Sequence, residues 1–196
     1  MTKLVGVKIM KAFVNGLSIF RIISAFVLLP LMFFQLWGAA LILFVLAAAS
    51  DFFDGWLARK YNCVSKLGGV IDHIGDKLLM TTSMIITILA VQTPLCITLV
   101  VIMICRDLYV SGLREFMGSQ KLELPVDKTG KIKTIAQLIS LTIFFIFFYI
   151  YMNDFMIEAQ ESVLFTALGM LSVATLLSVG SAAKYTFDAI RKLKNA

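Results

Sequence analysis

Four aspartates stand where the surrounding sequence is otherwise apolar: Asp51, Asp54, Asp72 and Asp76. An ionised side chain within a membrane helix costs at least about 2.5 kcal/mol on insertion scales, so acids in such runs usually mark a functional site. Asp51 and Asp54 are three residues apart and share one helix face, which Gly55 and Ala58 continue. On the next helix Gly68, Asp72 and Asp76 follow at intervals of four, again on one face. The intervening 59–66 turn is short enough to make the helices antiparallel neighbours, so the two acidic stripes can face each other. Four carboxylates that close cannot all stay ionised without positive charge. Two divalent cations would supply it. An all-oxygen donor set suits Mg²⁺ or Mn²⁺ and not zinc, because Cys and His are absent from the cluster apart from His73. The competing expectation is a pair of buried ion bridges from the acids to Arg59, Lys60 and Lys77. It does not explain why the acids are ordered on helical faces among small residues. Gly55, Ala58, Gly68 and Gly69 let a ligand or another helix approach the backbone. Beside the acids they read as a cradle for a nucleotide diphosphate, with Arg59 able to pair with a phosphate or a carboxylate.

These residues need elements to hold them, and composition says which. Of 196 residues, 60% are hydrophobic and the mean hydropathy is +0.92, more apolar than a water-soluble domain can bury. A membrane-crossing helix takes about 20 mostly apolar residues. Six such stretches can be drawn, at roughly 17–36, 38–58, 68–91, 95–113, 132–151 and 163–185. Turns are expected at Trp37-Gly38, at Thr93-Pro94 and over 152–162. The expected fold is therefore all-α, a polytopic membrane protein of six transmembrane helices in a single domain, 1–196. Residues 1–14, with Lys3, Lys8 and Lys11, form a short interfacial helix at the N-terminus ahead of the six-helix bundle at 15–196. With these spans every Lys and Arg falls on one side. The opposite 152–162 loop holds only Asp154, Glu158 and Glu161. The positive-inside rule then puts both termini and the acidic cluster in the cytoplasm, which requires an even number of spans. Periodicity and charge bias thus agree independently.

The net charge of +6 reads as attraction to anionic headgroups and phosphate-bearing substrates, not to nucleic acid. Cys63, Cys96 and Cys105 match no zinc or redox spacing and read as reduced thiols. Arg106, Arg114, Lys131 and Lys133 flank the cytoplasmic ends of two spans and can form a pocket for a phosphate, with Gly130 freeing backbone nearby.

Written out, the acidic segment is Asp51-x2-Asp54-Gly55-x2-Ala58-Arg59-x8-Gly68-x3-Asp72-x3-Asp76. It resembles the complete signature of the CDP-alcohol phosphotransferases. Asn15-x-Leu17-Ser18-x2-Arg21 with Pro30, Arg106-Asp107-x4-Gly112-Leu113-Arg114-Glu115, and Gly130-Lys131-x-Lys133-Thr134-x2-Gln137 are similar to one branch, the phosphatidylglycerophosphate synthases. The resemblance implies six transmembrane helices and two divalent metals held by the four aspartates. Asp51 and Asp72 would bridge the metals, Asp54 would hold one and Asp76 the other, and Asp76 would serve as general base. It implies nucleotide contacts from Asp54, Gly55, Ala58, Arg59, Ser65 and Gly68. It also implies CDP-diacylglycerol and glycerol 3-phosphate as substrates, surrounding membrane lipids, and a homodimer in the cell membrane. Inositol phosphate as acceptor stays open, as does a divalent-cation transporter from another class. The chain departs from the branch at His73 and Gly75, where Pro and Ala are common.

Overall fold

The computed structural model describes the backbone of residues 2–60, 66–122, 124 and 128–195; the side chains of 2–9, 11–12, 52, 54–56, 58–59, 66–67 and 128–129 fall outside that description. Among the described residues every element is a helix: α1 Thr2–Phe33, α2 Trp37–Lys60, α3 Lys66–Val91, α4 Pro94–Ser119, α5 Lys128–Met152 and α6 Ile157–Lys194. The six expected helices are present. Five carry a stretch long and apolar enough to cross a membrane: Phe13–Phe33, Gly68–Val91, Pro94–Ser119, Gly130–Met152 and Ile157–Lys194. In α2 the described apolar stretch is shorter, Trp37–Asp51. The whole of α2, 24 residues, is nonetheless about 36 Å long at the usual helical rise.

Large apolar side chains point outward along these helices, among them Phe26, Leu46, Phe165 and Leu176. In water such a surface would aggregate; in lipid it is the solvated face. The chain is a polytopic membrane protein. The basic N-terminal stretch is helical and continues into the first span without a break. At 32 residues α1 is about 48 Å long, more than the hydrocarbon core takes up. Ser18 lies inside α1, where its hydroxyl donates to the Val14 carbonyl.

The chain divides into two compact units, residues 1–86 with 145–157, and residues 87–144 with 158–196. In the first, Ala25, Leu28, Phe44, Ala47, Leu79 and Met84 are buried. Trp37 packs on Phe148 at 4.4 Å between ring centroids, and Phe44 stacks on Phe145 at 5.0 Å. The turn expected at Trp37-Gly38 instead spans Phe34–Leu36, with Gln35 in the left-handed region at φ 57°. Gly38 serves packing: a Cβ there would come within 3.0 Å of the Tyr149 ring. In the second unit Val100, Met103, Leu141, Phe144, Leu171 and Ala174 form the interior. The Ser140 hydroxyl donates to the Ala167 carbonyl at 3.0 Å and ties α5 to α6. The turn before α4 is as expected: Thr93 is the N-cap, its hydroxyl accepting from the Cys96 amide, and Pro94 opens the helix where its missing N–H costs nothing.

Candidate functional site

In the first unit the acids come from the C-terminal half of α2 and the N-terminal half of α3, as their spacing requires. The charge that joins them comes from α1. The Arg21 side chain is fully buried. Its Nη1 lies 3.0 Å from Asp51 Oδ1 and 2.9 Å from Asp72 Oδ1. One nitrogen therefore touches carboxylates of two different helices, and the two oxygens can be no farther apart than those contacts laid end to end. The same nitrogen lies 3.5 Å from the Asp72 carbonyl oxygen. The carboxylates are open on their other side: Asp51 and Asp72 are 52% and 43% exposed.

The local sequence lets α1 come this close. A Cβ on Gly75 would lie 3.1 Å from the Ser18 carbonyl oxygen, 3.3 Å from Ile22 Cγ1 and 3.6 Å from Arg21 Cβ. Only a residue without a side chain lets α3 lie against α1 here without displacing backbone. The turn of α3 between Asp72 and Asp76 is thus also the turn that seats Arg21.

Sequence reasoning assigned the balancing charge to two divalent cations, with ion bridges to Arg59, Lys60 and Lys77 as the competing expectation, and missed this role of Arg21. The signal was present, since Arg21 is the one cation inside the first apolar run. Charge spacing along a helix cannot show which neighbouring helix a side chain will meet.

Of the four aspartates, the structure brings Asp51 and Asp72 together. Asp76 is partly buried one turn along α3. Among the described residues no three Asp, Glu, His or Cys side chains gather as a metal-holding group. The Asp54 side chain lies outside the described residues, as do those of Ala58 and Arg59, the surroundings of Gly55, and Ser65 entirely. Gly68 is partly buried, Gly69 has open space about it, and His73 is exposed. Two hard oxygen donors from different helices, fixed at one point and half open outward, suit a cation that takes carboxylate oxygens.

A second cluster lies in the other unit. Lys133 of α5 donates to both carboxylate oxygens of Asp107, at 2.6 and 2.8 Å. Arg106 Nη1 reaches Asp107 Oδ1 at 2.9 Å. The Arg106 Nε donates to the Ser178 carbonyl at 2.9 Å, and its Nη2 to the Ser181 hydroxyl, both on α6. The cluster is largely buried, with Lys133, Arg106 and Asp107 exposed by 6%, 11% and 27%. In this cluster two cations share one carboxylate. Of the four residues expected to bind a phosphate, Arg106 and Lys133 are thus joined through Asp107. Arg114 is not part of this cluster: its guanidinium lies over the Tyr185 ring, 5.2 Å from the centroid. Lys131 is exposed. Gly130 faces Tyr185, whose hydroxyl a Cβ would meet at 3.5 Å. Asp107 was quoted within the sequence motif without being assigned a role. Acids beside bases in flanking segments look like ordinary solvated charge until burial is known.

Fold and site together define a helical membrane protein with acids from two neighbouring helices gathered on a buried arginine. The sequence profile of the CDP-alcohol phosphatidyltransferase family matches residues 12–180, and the chain belongs to that family. Among curated relatives, the CDP-diacylglycerol–glycerol-3-phosphate 3-phosphatidyltransferase of Cereibacter sphaeroides is 39% identical over 137 residues, covering 67% of this chain and 62% of the relative. The protein of the same name from Rickettsia typhi is 42% identical over 104 residues, covering 52% of this chain and 56% of its own. That from Escherichia coli K12 is 29% identical over 148 residues, covering 74% and 79%. The chain thus spans less than two thirds of the length of the first two.

Proposed function

We propose that this protein transfers the phosphatidyl group of CDP-diacylglycerol to glycerol 3-phosphate, giving phosphatidylglycerophosphate and CMP. The observation that carries the reading is the meeting of Asp51 and Asp72 at Arg21, within a segment that has every position of the family signature. The name shared by the three relatives supports the choice of substrates.

Asp51, Asp54, Asp72 and Asp76 would hold two divalent ions, Mg²⁺ or Mn²⁺. Bound there, the ions would offset charge on the pyrophosphate of the nucleotide-lipid. The chain's own groups do the remaining work. Asp54, Gly55, Ala58, Arg59, Ser65 and Gly68 seat the nucleotide. Asp76 accepts the proton of the attacking acceptor hydroxyl. The acceptor's phosphate is drawn to the cations Arg106 and Lys133, which share Asp107, with Arg114 and Lys131 nearby in sequence. Serine and phosphatidylglycerol lack a phosphomonoester for these cations to bind. By the charge bias of the loops, both termini and the site are cytoplasmic and the protein lies in the cell membrane. By family resemblance it acts as a homodimer.

The test is an assay of purified protein in detergent with Mg²⁺, radiolabelled CDP-diacylglycerol, and glycerol 3-phosphate, inositol phosphate, serine or phosphatidylglycerol in turn. CMP release with glycerol 3-phosphate alone is the expected result. Turnover only with another acceptor would move the protein to a different branch. Metal flux into liposomes without CMP release would replace the enzyme with a transporter.

A further inference from the structure

We infer that Arg21 is a positioning residue for the cation-binding carboxylates, one that sets the spacing of Asp51 and Asp72 from a third helix. The inference rests on the reading of those aspartates as metal ligands.

An arginine in an apolar helix is costly unless its charge is matched, and a fully buried charge must be paired. Arg21 meets that requirement in an unusual way. A guanidinium can grip one carboxylate with two parallel hydrogen bonds, its strongest mode. Here a single nitrogen contacts one oxygen of Asp51 and one of Asp72, and lies at the edge of hydrogen-bonding range from the backbone carbonyl of Asp72. The geometry bridges two helices. Without a cation between them, two carboxylates this close would repel and swing apart. Arg21 holds one oxygen of each in register, so less reorganisation is needed when an ion arrives. Its own place is fixed by the close approach of α3 to α1 at Gly75, where an added Cβ would crowd Ser18, Ile22 and the Arg21 Cβ. Metal affinity depends on such supporting partners, typically by 10–100-fold.

The alternative is that Arg21 only ties three helices together. Metal binding separates the two, measured without reference to turnover. Mn²⁺ binding to the purified full-length protein is followed by electron paramagnetic resonance, and folding by thermal melting in EDTA, for wild type, Arg21→Met and Arg21→Lys. Methionine keeps an unbranched apolar stem in a buried, apolar setting. The expected result is at least tenfold weaker Mn²⁺ binding for Arg21→Met while the variant remains folded, with part of the loss recovered in Arg21→Lys. Mn²⁺ binding by Arg21→Met as tight as wild type, or tighter, overturns the inference. If the methionine variant does not fold, Arg21→Lys decides: several-fold weaker binding supports positioning by the guanidinium, and wild-type affinity refutes it. A wild-type protein that binds no Mn²⁺ overturns the metal reading itself and this inference with it, an outcome distinct from loss of the Arg21 effect alone.

Discussion

Lys133 of α5 holds both carboxylate oxygens of Asp107 on α4, at 2.6 and 2.8 Å, in a largely buried setting. Breaking a buried charge pair from one side leaves the other charge uncompensated, at about 3 kcal/mol or more. The two ends are not equivalent here. Asp107→Asn removes the acidic partner that two cations, Arg106 and Lys133, share. Lys133→Ala leaves Asp107 still paired with Arg106. Asp107→Asn should therefore lower the melting temperature more than Lys133→Ala, with a destabilisation of about 3 kcal/mol, read by thermal denaturation in detergent. Lys133→Ala should act mainly on the acceptor, raising the KM for glycerol 3-phosphate roughly tenfold with kcat little changed. An unchanged KM would place the acceptor's phosphate elsewhere.

Gly75 predicts the cost of moving α1. A methyl at this position would sit 3.1 Å from a backbone oxygen, which cannot rotate away as a side chain could. Alanine would at the same time gain roughly 1 kcal/mol in helix propensity over glycine, so Gly75→Ala should be close to neutral. Gly75→Val adds two branches at the same contact and regains less propensity. It should destabilise by about 2 kcal/mol and shift Arg21 relative to Asp72. Equal melting temperatures for the valine variant and wild type would mean that α1 has slack there.

The positions of the helices were legible because lipid imposes a simple requirement: about 20 apolar residues for each crossing, with cations left on one side. The acidic stripes were legible because spacings of three and four put residues on one helix face. Two things were not. Arg21 lies thirty residues before Asp51 in the sequence, and helix periodicity carries no information about which face meets which neighbour. Gly38 looked like a turn residue because glycine often is one. Its role here is to admit the Tyr149 ring, while Gln35 takes the left-handed conformation at the turn itself. In the same way Arg106 and Lys133 were identified as partners from their flanking positions, but Asp107, which unites them, becomes visible only once burial is known.

The roles proposed for the aspartates separate binding from chemistry. Asp76→Asn keeps the shape of the side chain and removes its basicity. Turnover should fall to background while CDP-diacylglycerol binding, followed by isothermal titration in the presence of Mg²⁺, stays within a few-fold of wild type. Asp51→Asn removes charge where two helices meet and should weaken metal binding as well as turnover. EDTA should abolish CMP release from the wild-type protein, and added Mg²⁺ or Mn²⁺ should restore it. Full activity in EDTA would contradict the assignment of all four aspartates.

Loop charge makes the last prediction, which concerns direction in the membrane. The segment between α5 and α6 and the first two turns of α6 carry Asp154, Glu158 and Glu161 without any Lys or Arg, whereas Lys121, Lys128, Lys131 and Lys133 lie at or near the junction of α4 and α5. Gln120 at the end of α4 and Glu161 near the start of α6 are both exposed, so each can report its side when changed to cysteine. In a chain whose Cys63, Cys96 and Cys105 are replaced, a membrane-impermeant maleimide applied to intact cells should label Glu161→Cys. It should label Gln120→Cys only after the membrane is opened. The reverse pattern would put the acids of α2 and α3 outside the cell, where no cytoplasmic nucleotide-lipid headgroup or phosphorylated acceptor could reach them. Labelling of both positions from outside would instead mean that α5 does not cross the membrane, despite an apolar stretch over Gly130–Met152 long enough to do so.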